Sequence, residues 1–250
     1  MQEFPLHASA FLILFARIGA VLMLLPVFSE DAVPGRIRLL IAFGLSLGLW
    51  GYLSPIVLPA ARDANALAGI LVIEIGIGLA LGMIVRLMFQ AAVMAASLAS
   101  LQMGLSSAVI FDASLGGQTP MLARLVTLAA TLVCLAFGLH HLWIGAMIGS
   151  YNLFPVGGVP NVGDFAALAV ATVGKSMSLA VSMVAPLLVY GILFNVALGF
   201  SARLAPTIQV FFIAQPLNIL LGMALFSVVI GAMLTAFAEA MTDWMQSGWA

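Results

Sequence analysis

Apolar residues dominate the chain in runs rather than in alternation. Six of these runs, Ala8 to Phe28, Leu39 to Leu58, Ala66 to Val85, Leu125 to Ile148, Ser176 to Ala197 and Ile208 to Phe237, reach the length of about 20 residues that a helix needs to cross a bilayer. A seventh segment, Leu87 to Ile110, is different. Its small residues fall at helical spacing, Ala91, Ala95 and Ala99 on one row and Ala92, Ala96 and Ser100 beside it. That pattern suits close packing between helices better than a face turned to lipid. Polar punctuation separates the runs: Pro26 and Pro34 bracket VFSEDAVPGR, two prolines fall between Ser54 and Asn65, and Phe154 to Gly163 reads FPVGGVPNVG. The pattern predicts an all-α polytopic membrane protein of about six long helices.

Composition agrees with the pattern. Hydrophobic residues make up 64% of the chain and charged residues only 7%, with a mean hydropathy of +1.23. A soluble domain of this length cannot bury so much apolar surface. The net charge of −1 gives no footing for nucleic acid. The N-terminal MQEFPLHASAF lacks the basic start of a secretory signal, so the first apolar run is expected to stay as a membrane helix. The single Cys134 excludes an intrachain disulfide.

The few basic residues orient the helices. If the seventh segment turns back, Arg36, Arg38, Arg86, Arg124 and Arg203 share the cytoplasmic side against Arg62 and Lys175. If it spans, the bias weakens, and the positive-inside rule therefore favours a re-entrant hairpin with both chain ends outside.

Candidate chemistry is sparse and concentrated. Leu101 to Pro120, LQMGLSSAVIFDASLGGQTP, places Gln102, two serines, Asp112, Gly116-Gly117 and Pro120 between apolar runs. Non-helical backbone at membrane depth is tolerated only where protein buries it or where it lines a cavity. Thr119 before Pro120 is suited to start the next helix, and Asp112 can hold a turn. Gly116 and Gly117 can take left-handed conformations. The segment reads either as an ordinary connection or as a plug whose apolar contacts are Met103, Phe111 and Leu115. Arg17 and Glu74 lie inside apolar runs, where an ionisable group is either functional or one half of a pair that fixes helix register.

Other signals are weaker. His140 and His141 are adjacent and lack the spacing for a metal site. The 14 methionines can fill space or soften a passage. Gly78-x-x-x-Gly82 and Gly145-x-x-x-Gly149 permit close helix approach. No nucleotide, zinc-protease or serine-elbow motif appears, so no enzymatic activity, cofactor or metal is expected.

Taken in order, ARIGAVLMLLPVFSEDAVPGRIRLLIAFGLSL from Ala16, Glu74 followed by GIGLALG, LQMGL with Asp112 ten residues after Gln102, His141-Leu142-Trp143, and Ala185 to Gly222 span nearly the whole chain. This set resembles the FliR/SctT family of type III export-gate proteins. The resemblance implies a FliP-like helical part over residues 1–169, with a plug loop at 105–120, and a FliQ-like C-terminal hairpin over 170–250. It also implies assembly with FliP and FliQ, against FlhB and FlhA, in the inner membrane at the flagellar basal body, passing unfolded flagellar substrates. The injectisome counterpart is the alternative machine, and a stand-alone solute transporter the alternative class. The chain departs from the family where Ala113 follows Asp112 in place of proline, and where Ala96 stands in place of glycine.

Overall fold

The computed structural model describes residues 3–28, 33–105, 121–204 and 209–247. Among them the elements are seven α-helices and one 3-10 turn: α1 Glu3–Leu24, α2 Gly35–Val57, the turn Ala60–Arg62, α3 Leu67–Gln102, α4 Met121–Ala136, α5 Leu139–Leu153, α6 Val162–Leu204 and α7 Val210–Ser247. Five of these helices are long and apolar enough to cross a membrane, and the count reaches six if α4 and α5 form one broken span. The protein is an all-α, polytopic membrane protein.

Two elements differ from the hydropathy pattern. The third run and the separate segment from Leu87 form one helix through Gln102, so the chain does not turn back near Arg86. Arg86 is exposed on the side of this helix. A charge so placed does not interrupt the backbone ladder, and no Gly or Pro follows it before Gly104 to end the helix. Conversely, the expected span Leu125 to Ile148 is split at Phe137-Gly138, where Gly138 takes φ 73°. That conformation stops a helix and is nearly free only for glycine. Pro186 lies inside α6, and Pro216 lies inside α7.

The chain divides into two compact units. Of the described residues, the first comprises 3–28, 33–88 and 139–173, and the second 89–105, 121–138, 174–204 and 209–247.

In the first unit α1 is the hub. It packs along α2 and the 3-10 turn, and an aromatic ladder of Phe11 and Phe15 on α1 meets Phe43 of α2 edge-on, with centroids 5.3 and 6.3 Å apart. Against α3 the approach is closer. A Cβ on Gly78 would stand 2.6 Å from the Arg17 carbonyl, and one on Gly82 would stand 2.8 Å from the Leu24 Cβ. The first of the two glycine pairs is therefore filled by α1. Gly145 and Gly149 have nothing within 4 Å of such a position.

In the second unit the small-residue rows of α3 are buried, with Ala91, Ala92, Ala95, Ala96 and Ala99 all at 0% exposure. Phe89 meets Phe237 of α7 edge to face at 5.5 Å. At the other end of the same helix Met103 seats on Gly222 of α7, where a side chain would collide. α3 and α7 thus run antiparallel here, and α4 also packs on α7.

Candidate functional site

Arg17 and Glu74 come together in the first unit. Arg17 is 1% exposed and Glu74 0%, so neither charge is solvated, and an unpaired charge in that position is strongly unfavourable. The pairing is a two-pronged fork: Arg17 Nε donates to Glu74 Oε2 at 2.5 Å and Nη2 to Oε1 at 2.9 Å. The remaining guanidinium hydrogens reach the end of α5. Nη1 lies 3.2 Å from the Ser150 carbonyl and 3.4 Å from its Oγ, and Nη2 donates to the Phe154 carbonyl at 3.0 Å. All five donors of the fork therefore have acceptors. Glu74 Oε1 also accepts the Gly157 amide at 3.1 Å, and the guanidinium stacks 4.1 Å over the Tyr151 ring.

One cluster thus joins α1, α3, the last turn of α5 and the connection after it. The C-terminal carbonyls of α5 carry a partial negative charge, which the cation complements. Gly78, one turn beyond Glu74, lets α1 approach closely enough for Arg17 to make this reach.

Of the residues assigned to the plug, Phe111, Asp112, Leu115, Gly116, Gly117 and Pro120 lie outside the described residues. Met103 is described and is fully buried against Gly222. The structure does show how the chain is delivered to that segment. α3 ends in a Schellman cap: Gly104 at φ 73° donates its amide to the Leu101 carbonyl at 3.1 Å, and the Leu105 amide reaches Ser100 at 3.0 Å.

Side chains of α6 and α7 complete this cap. Asn218 Nδ2 donates to the Gln102 carbonyl and Gln215 Nε2 to the Gly104 carbonyl, both at 3.2 Å. Tyr190 holds Asn218 in turn, its hydroxyl 2.8 Å from Oδ1 and 3.0 Å from the Asn218 carbonyl. The Gln102 side chain occupies the space beside Gly191 that a Cβ would need.

Sequence reasoning does not find Tyr190, Gln215 or Asn218, although Gln215-Pro216-Leu217-Asn218 is a polar interruption of an apolar run. It also leaves Ser150, Tyr151 and Gly157 out of the ion-pair cluster. The His140 and His141 rings sit 4.0 Å apart. Among the described residues no group of three or more His, Cys, Asp or Glu is placed to hold a metal ion.

The comparisons with known proteins cover the same ground as these two clusters. The pattern of the family described as bacterial export proteins, family 1, matches residues 8–244. The flagellar biosynthetic protein FliR of Caulobacter vibrioides is 36% identical over 215 residues, covering 86% of each chain. The protein of that name from Escherichia coli K12 is 33% identical over 84% of this chain and 80% of its own. The Bacillus subtilis 168 protein is 32% identical over 84% and 82%.

Proposed function

Because the chain belongs to the FliR family of bacterial export proteins, we propose that it is a subunit of the flagellar type III protein export gate. In this reading it forms, with FliP and FliQ and against FlhB and FlhA, the channel through which unfolded flagellar proteins cross the inner membrane at the basal body. Residues 1–169 form the FliP-like part and 170–250 the FliQ-like hairpin. The observation that carries the reading is the family match from residue 8 to 244, which takes in nearly every element of the fold.

The role is passive rather than enzymatic. A proton or ion relay needs ionisable groups with open valences at depth. Arg17 and Glu74 are instead bonded to each other and to the end of α5 and the connection after it, and we assign them to holding helix register. The resting channel is closed by the 105–120 segment, with Phe111, Leu115, Gly116 and Gly117 as the plug, Met103 and Pro120 at its two ends and Asp112 shaping its turn.

The test is the native mass of the detergent-extracted protein, expressed alone and with the neighbouring export-gate genes. A large complex on co-expression only is the expected result, and a stable monomer in both cases overturns the reading. In that complex Gly116→Val with Gly117→Val distorts the loop and leaks ions at rest.

A further inference from the structure

We infer that Tyr190, Gln215 and Asn218 are positioning residues of the gate, which fix the direction in which the chain leaves α3 at Leu105. This rests on the export-gate reading above. It goes beyond that reading because it places the control of the resting state in α6 and α7, away from the plug segment itself.

The argument begins with the unpaired carbonyls at a helix end. The last four carbonyls of α3 have no partner within the helix. The cap formed by Gly104 and Leu105 satisfies those of Ser100 and Leu101. The Gln102 and Gly104 carbonyls lie nearest the departing chain, and they are met by Asn218 and Gln215 instead. Asn218 is 7% exposed, so in this apolar setting water is a poor substitute for its amide.

The donors are themselves held. Tyr190 fixes the orientation of the Asn218 amide, directing Nδ2 toward Gln102. Gln215 and Asn218 flank Pro216, which has no backbone N–H to give the carbonyl four residues before it. The start of α7 is therefore the least self-sufficient part of that helix, and it is the part bonded to the exit of α3. Gly191 and Gly222 let Gln102 and Met103 press against α6 and α7 without intervening side chains. Any displacement of the first turns of α7 must either move the exit of α3 or take the Asn218 donor away from the Gln102 carbonyl. The exit and the α7 start are thus one mechanical unit.

The experiment uses the complex co-expressed with the neighbouring export-gate genes, reconstituted in vesicles, with potassium efflux as the readout. Asn218→Leu, Asn218→Asp and Gln215→Leu are expected to raise resting efflux about tenfold, the population change that follows from one lost hydrogen bond. Native mass should not change. Asn218→Asp keeps the acceptor for Tyr190 but sets a carboxyl oxygen against the Gln102 carbonyl in place of the donor, so it should leak at least as much as Asn218→Leu. Tyr190→Phe keeps that donor and should leak less. Wild-type efflux from all three leaking candidates, with Gly116→Val/Gly117→Val still leaking, overturns the inference and leaves the gate reading standing. A tight complex in every variant, the loop variant included, sinks the gate reading itself. Loss of the complex in all three reduces these residues to a structural cap and also overturns the inference.

Discussion

Neutralising the buried ion pair one charge at a time, and then both together, separates a structural role from a functional one. Glu74→Gln leaves Arg17 buried without its counter-ion, a change that costs about 3–5 kcal/mol at such sites. Arg17→Met costs at least as much. It strands the Glu74 carboxylate with only the Gly157 amide, and it removes the Arg17 donor from the Phe154 carbonyl. Independent effects would sum to roughly 6–10 kcal/mol. The double variant removes both charges. The side-chain amide that replaces the Glu74 carboxylate can still accept from Gly157, and the Ser150 carbonyl keeps its bond from the Phe154 amide at 2.8 Å. What remains is the Phe154 carbonyl and the side-chain NH2 introduced at position 74, about 1–3 kcal/mol each where they do not meet one another. The double variant should therefore lose less than the sum of the two single ones. The assay is the heating temperature at which half of the detergent-extracted complex is lost from its size-exclusion peak. At roughly 2–4 °C per kcal/mol, each single variant should drop by about 6–20 °C and the double by less than the two drops together. A double variant as unstable as the sum of the singles would refute the pairing argument. Motility is the second readout: if it returns with stability, the charges take no part in driving export.

Gly78→Val should destabilise the chain by about 1–3 kcal/mol or more, because backbone of α1 occupies the space the side chain needs. Gly145→Ala, over open space, should leave stability within about 0.5 kcal/mol, so any loss it causes should appear as a shift in the mass of the assembled complex. Gly104→Ala forces a side chain into the left-handed region against Gln215; it should cost about 1–2 kcal/mol before the collision is counted, measured by the same heating assay.

The helical class was legible because runs of apolar residues as long as a bilayer is thick leave few other structures. Arg17 and Glu74 were visible as anomalies for the same reason, and the small-residue rows from Ala91 to Ser100 correctly marked a packing face. Boundaries were not legible. Dividing the chain into bilayer-length pieces assumes that each helix stops where the membrane does, and counting arginines on two sides inherits that assumption. α3 runs for 36 residues, about 54 Å, past Arg86 without a break. The break at Gly138 occurs within an apolar run, where hydropathy has no contrast to offer. The clusters were half legible: the charged pair is conspicuous, but its further acceptors are backbone carbonyls in the last turn of α5 and just after it, which have no signature in side-chain chemistry. Tyr190, Gln215 and Asn218 are far from Gln102 in the chain, and only the antiparallel run of α3 and α7 brings the glutamine and asparagine to its end.

The length of α7 bears on how the cell makes and keeps this protein. From Val210 to Ala238 the helix carries no charge, a run of about 42 Å against roughly 30 Å of hydrocarbon. Hiding all of it in lipid takes a tilt of about 45°, beyond the usual range of up to roughly 40°. Phe212 and Val228, 72% and 79% exposed, stand on this run. Unless the helix bends at Pro216 or the bilayer thickens locally, one end of this apolar run stands outside the hydrocarbon and needs another apolar surface to cover it. A copy expressed alone is accordingly expected to be shorter-lived than one co-expressed with subunits that cover this run, which pulse-chase labelling measures.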